Sequence, residues 1–227
     1  MNPAGDPVVV AEPPLHEETR KSYNRLSKWY DLFTFFERKF LHASIKMLDV
    51  KKGERVLEVG FGTGHGIRAL AVGVGENGHV TGLDISEKMK AVAQKRADRN
   101  HLAGRVNLIV GDAVKMPFEE QSFDAILMSF VLELFNEQEI PLVLAECKRV
   151  LKASGRIGIV SMSKDHGTKG MMRLYEWSHR TFPKVVDCKP IFLSREVEEA
   201  GFRILTAKAP PFYGLGLEQI VAKPEST

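Results

Sequence analysis

Apolar residues follow two different periodicities along the chain. Near the N-terminus, large apolar residues recur every three or four positions from Tyr23 to Phe40, which predicts one helix or two consecutive helices. From Arg55 onward, short apolar runs alternate with helical stretches. The predicted strands of this part are residues 55–59, 79–83, 106–110, 123–129 and 156–161. The helical stretches between them act as crossovers, so we expect parallel strands with helices on both faces of the sheet.

The two ends of the chain differ from this pattern. Residues 1–18 carry four prolines and no periodicity, which predicts a flexible tail. Near the C-terminus, the strand-like runs 201–208 and 217–222 are joined by a short connection rich in proline and glycine, which predicts an antiparallel hairpin. The predicted fold class is therefore α/β, a doubly wound, Rossmann-like, mostly parallel seven-stranded sheet with a C-terminal antiparallel hairpin.

Composition excludes several classes of protein. Hydrophobic residues make up 44% of the 227 positions, which argues against disorder, and no apolar run is long enough for a membrane span or a secretory signal. Lysine and arginine (32) exceed aspartate and glutamate (29) by only three, too few for a nucleic-acid surface. Cys147 and Cys188 fit neither a disulfide framework nor a metal knuckle. We expect a cytoplasmic protein with no nucleic-acid partner.

A glycine-rich loop follows the first predicted strand. It contains Gly60, Gly62, Gly64 and Gly66. This is the place where a doubly wound sheet binds its ligand, and glycine lets a ligand approach the backbone closely. The dinucleotide fingerprint does not fit when it is started at Gly60 or Gly62; only a relaxed form starting at Gly64 fits, and no P-loop occurs. Glu58, at the strand end, would repel a pyrophosphate but suits a cationic ligand.

Residues 56–64 resemble the first motif of the class I S-adenosylmethionine-dependent methyltransferases. Residues 81–86 are similar to the family's second motif and residues 111–113 to its adenine-binding motif, each after a successive predicted strand. The resemblance covers residues 20–223 and implies S-adenosylmethionine as the cofactor, with Asp84 on the ribose and Asp112 on the adenine amine. The cofactor-binding residues that it implies are Tyr30, Glu58, Gly60, Phe61, Gly62, Thr63, Gly64, Asp84, Ile85, Met89, Asp112, Ala113, Ser129 and Phe130.

Further stretches resemble one branch of that family, which contains the ubiquinone and menaquinone biosynthesis C-methyltransferases and many small-molecule and lipid methyltransferases. They are residues 29–31, 116–118, 122–124 and 146–156. One stretch departs from the quinone enzymes, which carry Ser-Phe-Gly-x-Arg-Asn after the fourth strand. This chain has Ser-Phe-Val-Leu at 129–132, so the resemblance does not extend to a quinone substrate.

The chemistry expected of such a site needs few catalytic groups. Methyl transfer from a sulfonium depends on alignment and exclusion of water, and a base is needed only where the acceptor loses a proton. His166, just past the fifth strand, is the best-placed candidate base, because an unperturbed imidazole titrates at about pH 6.5; the alternative is an exposed loop histidine. The histidines show no metal-ligand spacing, and we predict no metal.

An insertion at about residues 164–190 is predicted to cover the acceptor. It combines methionines and aromatic residues with six basic and three acidic side chains, which suits an acceptor with an apolar body and an anionic group. The alternative is a helix packed on the sheet edge without ligand contact. Residues 19–52 are likewise predicted as a helical lid over the cofactor; they could instead complete the core, or make transient contact with a membrane surface.

The leading hypothesis is a methyltransferase whose cofactor domain spans residues 53–227. Its acceptor would be a small-molecule or lipid-like compound, such as a quinol, a phenol, an amine or a phospholipid head group. Two alternatives stay open at this point: an NAD-dependent oxidoreductase on the same kind of sheet, and a catalytically inactive subunit that binds the cofactor for a partner. The sequence does not fix the oligomeric state.

Overall fold

A computed structural model describes residues 27–102, 104–168, 189–212 and 214–225, with side chains from residue 38 onward. The predicted tail and most of the predicted acceptor cover lie outside these residues. In chain order the elements are α1 (Ser27–Leu48), β1 (Arg55–Val59), α2 (His65–Val74), β2 (His79–Asp84), α3 (Glu87–Arg99), β3 (Val106–Val110), β4 (Phe123–Ser129), a short 3-10 helix (Leu132–Leu134), α4 (Ile140–Val150), β5 (Leu151–Gly167), α5 (Leu193–Glu199), β6 (Phe202–Lys208) and β7 (Leu215–Pro224).

The strands form one sheet in the order β3-β2-β1-β4-β5-β7-β6. Strands β1 to β5 pair in parallel, and β7 is antiparallel to both of its neighbours. This confirms the predicted mostly parallel seven-stranded sheet with a C-terminal hairpin. The chain runs outward from β1 to β3 and then crosses back to β4, so the carboxyl ends of β1 and β4 flank the crevice where such sheets bind ligands.

Strand β5 is longer than the predicted 156–161. It begins at Leu151, which pairs with Phe123 before the register shifts, and it continues to Gly167, which pairs with Leu215 of β7. The sequence predicted that the strand ends at residue 161 and that His166 lies just past it. The antiparallel partner strand, which cannot be recognised from local composition, extends the pairing.

Apolar clusters cover both faces of the sheet. On one face, Ile157 and Ile159 of β5 pack with side chains of α4 and α5. On the other face, Leu41 and Leu48 of α1 pack with side chains of α2 and α3. The second half of α1 is therefore part of the core, whereas a lid role for its first half stays a prediction. Within the described residues, no helix combines the length and the apolarity that crossing a membrane requires.

Two residues of the stretch that resembles the quinone branch have a structural role. Glu146 accepts a hydrogen bond from the backbone N–H of Met116 at 2.7 Å, and its other oxygen accepts from Arg149 Nε at 2.6 Å. Arg149 also donates to the carbonyl of Phe118 at 2.8 Å. The pair in α4 thus fixes the loop that follows β3.

Arg156 joins the end of α1 to the sheet. Its guanidinium makes a bidentate pair with Glu54, at 2.8 and 2.9 Å, and donates to the carbonyls of Leu48 and Asp49. Both side chains are about 15% exposed. Removing Arg156 leaves the largely buried Glu54 carboxylate with only the backbone N–H of Lys51, and takes the side-chain donor away from two carbonyls. We therefore expect Arg156→Met to lower the free energy of unfolding by about 2 kcal/mol or more in urea denaturation.

The matched control for this prediction is Arg195→Met. Arg195 pairs with Glu199 one turn along α5, but both side chains are more than 60% exposed. Exposed pairs of this kind contribute about 0.5 kcal/mol or less. Equal losses for the two variants would show that Arg156 does not connect α1 to the sheet in solution.

Candidate functional site

A cleft lies beyond the carboxyl ends of β1, β2 and β4. Its larger part, of about 850 Å³, is lined by Val59, Gly60, Gly62, Leu83, Asp84, Ile85, Met89, Gly111, Asp112, Ala113, Ser129, Phe130, Val131, Leu134, Phe135 and Glu139. Its smaller part, of about 450 Å³, is lined by Arg38, Leu41, Glu58, Gly60, Phe61, Gly62, Thr63, His65, Gly66 and Ser129. The two parts share Gly60, Gly62 and Ser129, so they are two ends of one site, called the cleft below.

The cleft brings the predicted cofactor-binding residues together, with two exceptions. Gly64 does not line it but stands at the N-cap of α2. Tyr30 lies in α1, and its side chain is outside the described residues. Contact of the remaining residues with a cofactor stays a prediction. Sequence reasoning missed Arg38, which lies in α1 beyond the stretch 29–31 and before the first cofactor motif. It also missed Leu134 and Phe135, whose position a few residues after the end of β4 could have marked them.

Asp84, the last residue of β2, organises the cleft. Its Oδ2 accepts the backbone N–H of Gly62 at 2.8 Å, and its Oδ1 accepts the backbone N–H of Ser86 at 2.9 Å. Burial raises the pKa of this carboxyl, while the backbone donors oppose that rise. The carboxylate therefore anchors the glycine loop, and each oxygen keeps a second lone pair for a ligand hydroxyl.

The glycine loop is tightly folded against its surroundings. Gly60 donates to the carbonyl of Leu83 at 2.7 Å, and a Cβ on Gly60 would overlap the side chain of Val131. Gly62 has a φ of 48°, which L side chains rarely adopt. Both positions therefore require glycine, one for close approach and the other for its backbone angle.

Asp112 lies after β3 at the same edge of the sheet. Its Oδ1 accepts the backbone N–H of Val114 at 2.9 Å, and Gly111 donates to the carbonyl of Asp84 at 3.0 Å. The second bond holds the ends of β2 and β3 together, and the first fixes the turn after β3. The three acids predicted to face the cofactor thus stand in order along one wall, with Glu58 on β1 and Asp84 and Asp112 beside it.

Glu58 is the least satisfied charge in the cleft. It is 3% exposed, and its Oε2 has no hydrogen-bond partner. Burial raises the pKa of this carboxyl well above its ordinary value, and the neighbouring Asp84 charge raises it further. An isolated buried carboxylate is costly unless a positive group pairs with it. The site therefore fits a ligand that brings a positive charge.

Arg38 and His65 form the opposite side of the smaller part. Arg38 Nη2 lies 2.8 Å from His65 Nε2. Burial and the charges of Arg96 and Arg38 lower the pKa of His65 to about 4. His65 is therefore neutral at physiological pH, and Arg38 provides a positive charge to this end of the cleft.

Three phenylalanines form an aromatic wall, in which Phe130 lines the cleft and Phe40 and Phe212 pack behind it. Phe130 lines the cleft, and its ring meets Phe40 of α1 edge-on with centroids 6.5 Å apart. Phe40 in turn meets Phe212, in the connection before β7, at 5.3 Å. Phe130 has a φ of 55°, an unusual angle for a bulky residue, and donates to the carbonyl of Val160 at 2.9 Å. The surrounding structure thus holds Phe130 in a strained conformation.

His166 is not among the residues that line this cleft, although β5 runs parallel to β4 and therefore ends at the same edge of the sheet. It is near the end of β5, with a side chain 40% exposed, and its Nε2 is 3.9 Å from Glu218 Oε1. The described residues contain no group of three or more histidines, cysteines or acids arranged to hold a metal ion. Cys147 is a buried thiol in α4 whose pKa is raised to about 12, chiefly by burial, and it takes no part in the cleft.

Three features together define the class I methyltransferase architecture. They are a sheet with one reversed strand, a glycine loop after β1, and acidic residues at three successive strand ends. A family model described as a methyltransferase domain matches residues 56–155. A demethylmenaquinone methyltransferase of Bacillus mycoides is 30% identical over 239 residues, covering 92% of this chain and 97% of that protein. The chain belongs to the S-adenosylmethionine-dependent methyltransferases, in the branch that resembles the quinone-biosynthesis enzymes. It is an enzyme, and S-adenosylmethionine is its cofactor.

Solved structures support the fold. A methyltransferase from Aquifex aeolicus superposes with a TM-score of 0.62 at 24% identity, covering 80% of this chain and 88% of that one. The [4+2]-cyclase SpnF superposes with a TM-score of 0.69 at 18% identity, covering 83% and 82%. Because a cyclase and a methyltransferase share this fold, the likeness alone does not define the reaction. The family membership defines the reaction as methyl transfer and excludes the oxidoreductase alternative.

Proposed function

We propose that the chain transfers the methyl group of S-adenosylmethionine to an apolar small-molecule acceptor with a quinol-like ring. The observation that carries this proposal is the ring of Phe130, which lines the cleft and is backed by Phe40 and, behind it, Phe212. Edge-on aromatic surfaces suit a flat apolar ring. The name of the Bacillus mycoides relative, a demethylmenaquinone methyltransferase, supports the same class of acceptor.

Different residues of the cleft would bind different parts of the cofactor. Asp84 would hold the ribose hydroxyls, and Asp112 with the backbone N–H of Ala113 would hold the adenine. Glu58 would pair with the amino group of the methionine half, and Arg38, on the opposite side, with its carboxylate. Bound S-adenosylmethionine supplies a methyl group on a positively charged sulfur. The task of the chain is then to align the acceptor and to exclude water, which the strained Phe130 ring supports at the edge of the cleft.

Labelled methyl transfer tests the acceptor class directly. The full chain is incubated with methyl-labelled S-adenosylmethionine and, separately, demethylmenaquinol, its oxidised quinone, a simple phenol and phosphatidylethanolamine vesicles. We expect label in the quinol and none in the quinone, because the oxidised ring lacks the electron-donating hydroxyls. Label in the phospholipid but not in the quinol would overturn the proposed acceptor. Val131, Glu133 and Leu134 stand where the quinone-enzyme stretch has glycine, arginine and asparagine, so the quinol is the informative member of the panel.

Phe212→Ala tests the aromatic wall. Phe212 contacts Phe40 and is separate from the residues that line the cleft. Its removal is expected to raise the KM for demethylmenaquinol about tenfold while the affinity for S-adenosylmethionine stays within about twofold, since a lost aromatic contact is worth about 0.5 to 1.5 kcal/mol. Leu205→Ala, an exposed apolar residue on β6, is the control. A wild-type KM for Phe212→Ala would show that the aromatic wall does not contribute to acceptor binding.

Glu58 makes cofactor affinity depend on pH. Since its pKa is raised in the cofactor-free protein, the group is protonated at mildly acidic pH and must lose its proton to pair with a cation. Affinity for S-adenosylmethionine should therefore rise as the pH increases above the ordinary pKa of a glutamate carboxyl, by up to about tenfold per unit, until the raised pKa of Glu58 is passed, while the cofactor amine stays protonated. Calorimetry on Glu58→Gln should give a flat profile. A pH dependence that persists in this variant would mean that a group other than Glu58 loses the proton on cofactor binding.

A further inference from the structure

A buried carboxylate lies beside His166, outside the cleft. Glu218 of β7 is 3% exposed, and its Oε2 accepts a hydrogen bond from Ser163 Oγ at 3.1 Å. Its Oε1 accepts a hydrogen bond from Ser194 Oγ and lies 3.9 Å from His166 Nε2. The three neighbours come from β5 and α5, so the carboxylate is fixed from two elements besides its own strand.

The backbone brings His166 to this carboxylate through a bulge. Met162 pairs with Leu217 and Gly167 with Leu215, so four residues of β5 stand opposite the single residue Gly216. A side chain on Gly216 would overlap the carbonyls of Ser163 and His166. The bulge turns the imidazole back toward Glu218, and bulges often redirect side chains in this way next to active sites.

This bulge begins where β5 borders the cleft-lining segment. The carbonyl of Val160 accepts the N–H of Phe130, and the N–H of Met162 donates to Glu133 Oε1 at 3.2 Å. Phe130 and the 3-10 helix that contains Glu133 follow β4 directly. His166 is therefore six residues beyond Val160, where β5 bonds the backbone of Phe130, and one residue before the end of β5 at Gly167.

From this geometry we infer that Glu218 is a positioning residue, which holds His166 by Nε2–H so that Nδ1 takes a proton from the methyl acceptor. This inference rests on the proposed function. Ser163 and Ser194 in turn fix the carboxylate. A separation of 3.9 Å is longer than a hydrogen bond, and such bonds commonly shorten only when ligands are bound. The arrangement follows the general pattern of a base oriented by a buried carboxylate.

The step balances as follows for a quinol. The hydroxyl O–H bond breaks, its proton binds His166 Nδ1, and the electron pair on oxygen enriches the ring carbon. That carbon bonds to the methyl group as the bond from methyl to sulfur breaks, with its electron pair staying on sulfur. The displaced ring proton restores the hydroxyl and His166 gives its proton to solvent, so one proton is released per methyl group.

An NMR measurement tests the pair without relying on turnover. The full chain is labelled with ¹⁵N-histidine and saturated with S-adenosylhomocysteine. The His166 Nε2–H proton should then be protected from exchange with solvent and give a visible signal. Loss of that signal in His166→Asn assigns it to His166. Glu218→Ala should remove the signal, and Ser194→Ala should weaken it. Ser122→Ala is the control, because the hydroxyl of this half-buried serine donates to the carbonyl of Glu119, away from His166. A signal that is absent in the wild type, or unchanged in Glu218→Ala, overturns the inference.

Kinetics separate positioning from a merely structural role. With demethylmenaquinol, His166→Asn is expected to lower kcat about 100-fold or more, and Glu218→Gln about tenfold, with the acceptor KM and cofactor affinity within about twofold. Glu218→Asp should recover part of the loss. A rise in KM with unchanged kcat would overturn the inference. If the wild type methylates no quinol, the proposed function is wrong. The NMR signal would still test whether Glu218 holds His166 by a hydrogen bond.

Discussion

Asp84→Ala is expected to weaken S-adenosylmethionine binding by about 10- to 150-fold. Hydrogen bonds to a charged group contribute about 1.5 to 3 kcal/mol, and Asp84 is proposed to supply such bonds to the ribose. The same carboxylate accepts the N–H groups of Gly62 and Ser86, so its loss also releases the glycine loop. Both effects lower affinity. Calorimetry on the folded variant, with circular dichroism to establish the fold, measures the sum.

Asp98→Ala is the matched control for this variant. Asp98 lies on α3, one element after Asp84, and its exposed carboxylate accepts a hydrogen bond only from the neighbouring Gln94 among the bonds described. Its removal should leave cofactor affinity within about twofold. An unchanged affinity in Asp84→Ala as well would mean that Asp84 serves the loop and the cap of α3 alone, and the proposed ribose site would be wrong.

The sheet could be predicted because its signals are local. Each short apolar run between helical stretches became a strand within two residues of its predicted ends, except at β5. There the pairing of Leu151 with Phe123 and of Gly167 with Leu215 extends the strand at both ends. Such pairing depends on residues far away in the chain, and the polar residues near His166 locally resemble a turn.

The cleft was predictable to the extent that it is built from strand ends. Glu58, Asp84 and Asp112 each follow a recognisable strand, and parallel strands bring their carboxyl ends to one edge. Arg38 and Glu218 carry no such signal. Arg38 reaches the cleft because α1 packs on the sheet, and Glu218 reaches His166 because β7 runs antiparallel to β5. Their partners are set by tertiary packing, which a single sequence does not display.

Gly62→Val is expected to abolish cofactor binding while the sheet stays folded. Gly62 has a φ of 48°, and a β-branched residue at a positive φ is strained by about 1 to 3 kcal/mol. The loop can relieve that strain only by rotating to a negative φ, which moves the Gly62 N–H away from Asp84 Oδ2. The cleft then loses its anchor, and the new side chain enters the space between its two parts. Equilibrium dialysis with labelled S-adenosylmethionine should detect no binding.

Gly53→Val separates this effect from backbone strain. Gly53 also has a positive φ, 84°, in the turn before β1, and a Cβ there would meet nothing within 4 Å. Both variants should lose similar stability, but only Gly62→Val should lose the cofactor. Asp84 and Gly62 share one hydrogen bond. The loss of unfolding free energy in the double variant Gly62→Val/Asp84→Ala should therefore be smaller than the sum of the losses in the two single variants. If Gly62→Val bound the cofactor as well as Gly53→Val, the loop would not approach the ligand closely, and the proposed site would have to lie elsewhere along β1.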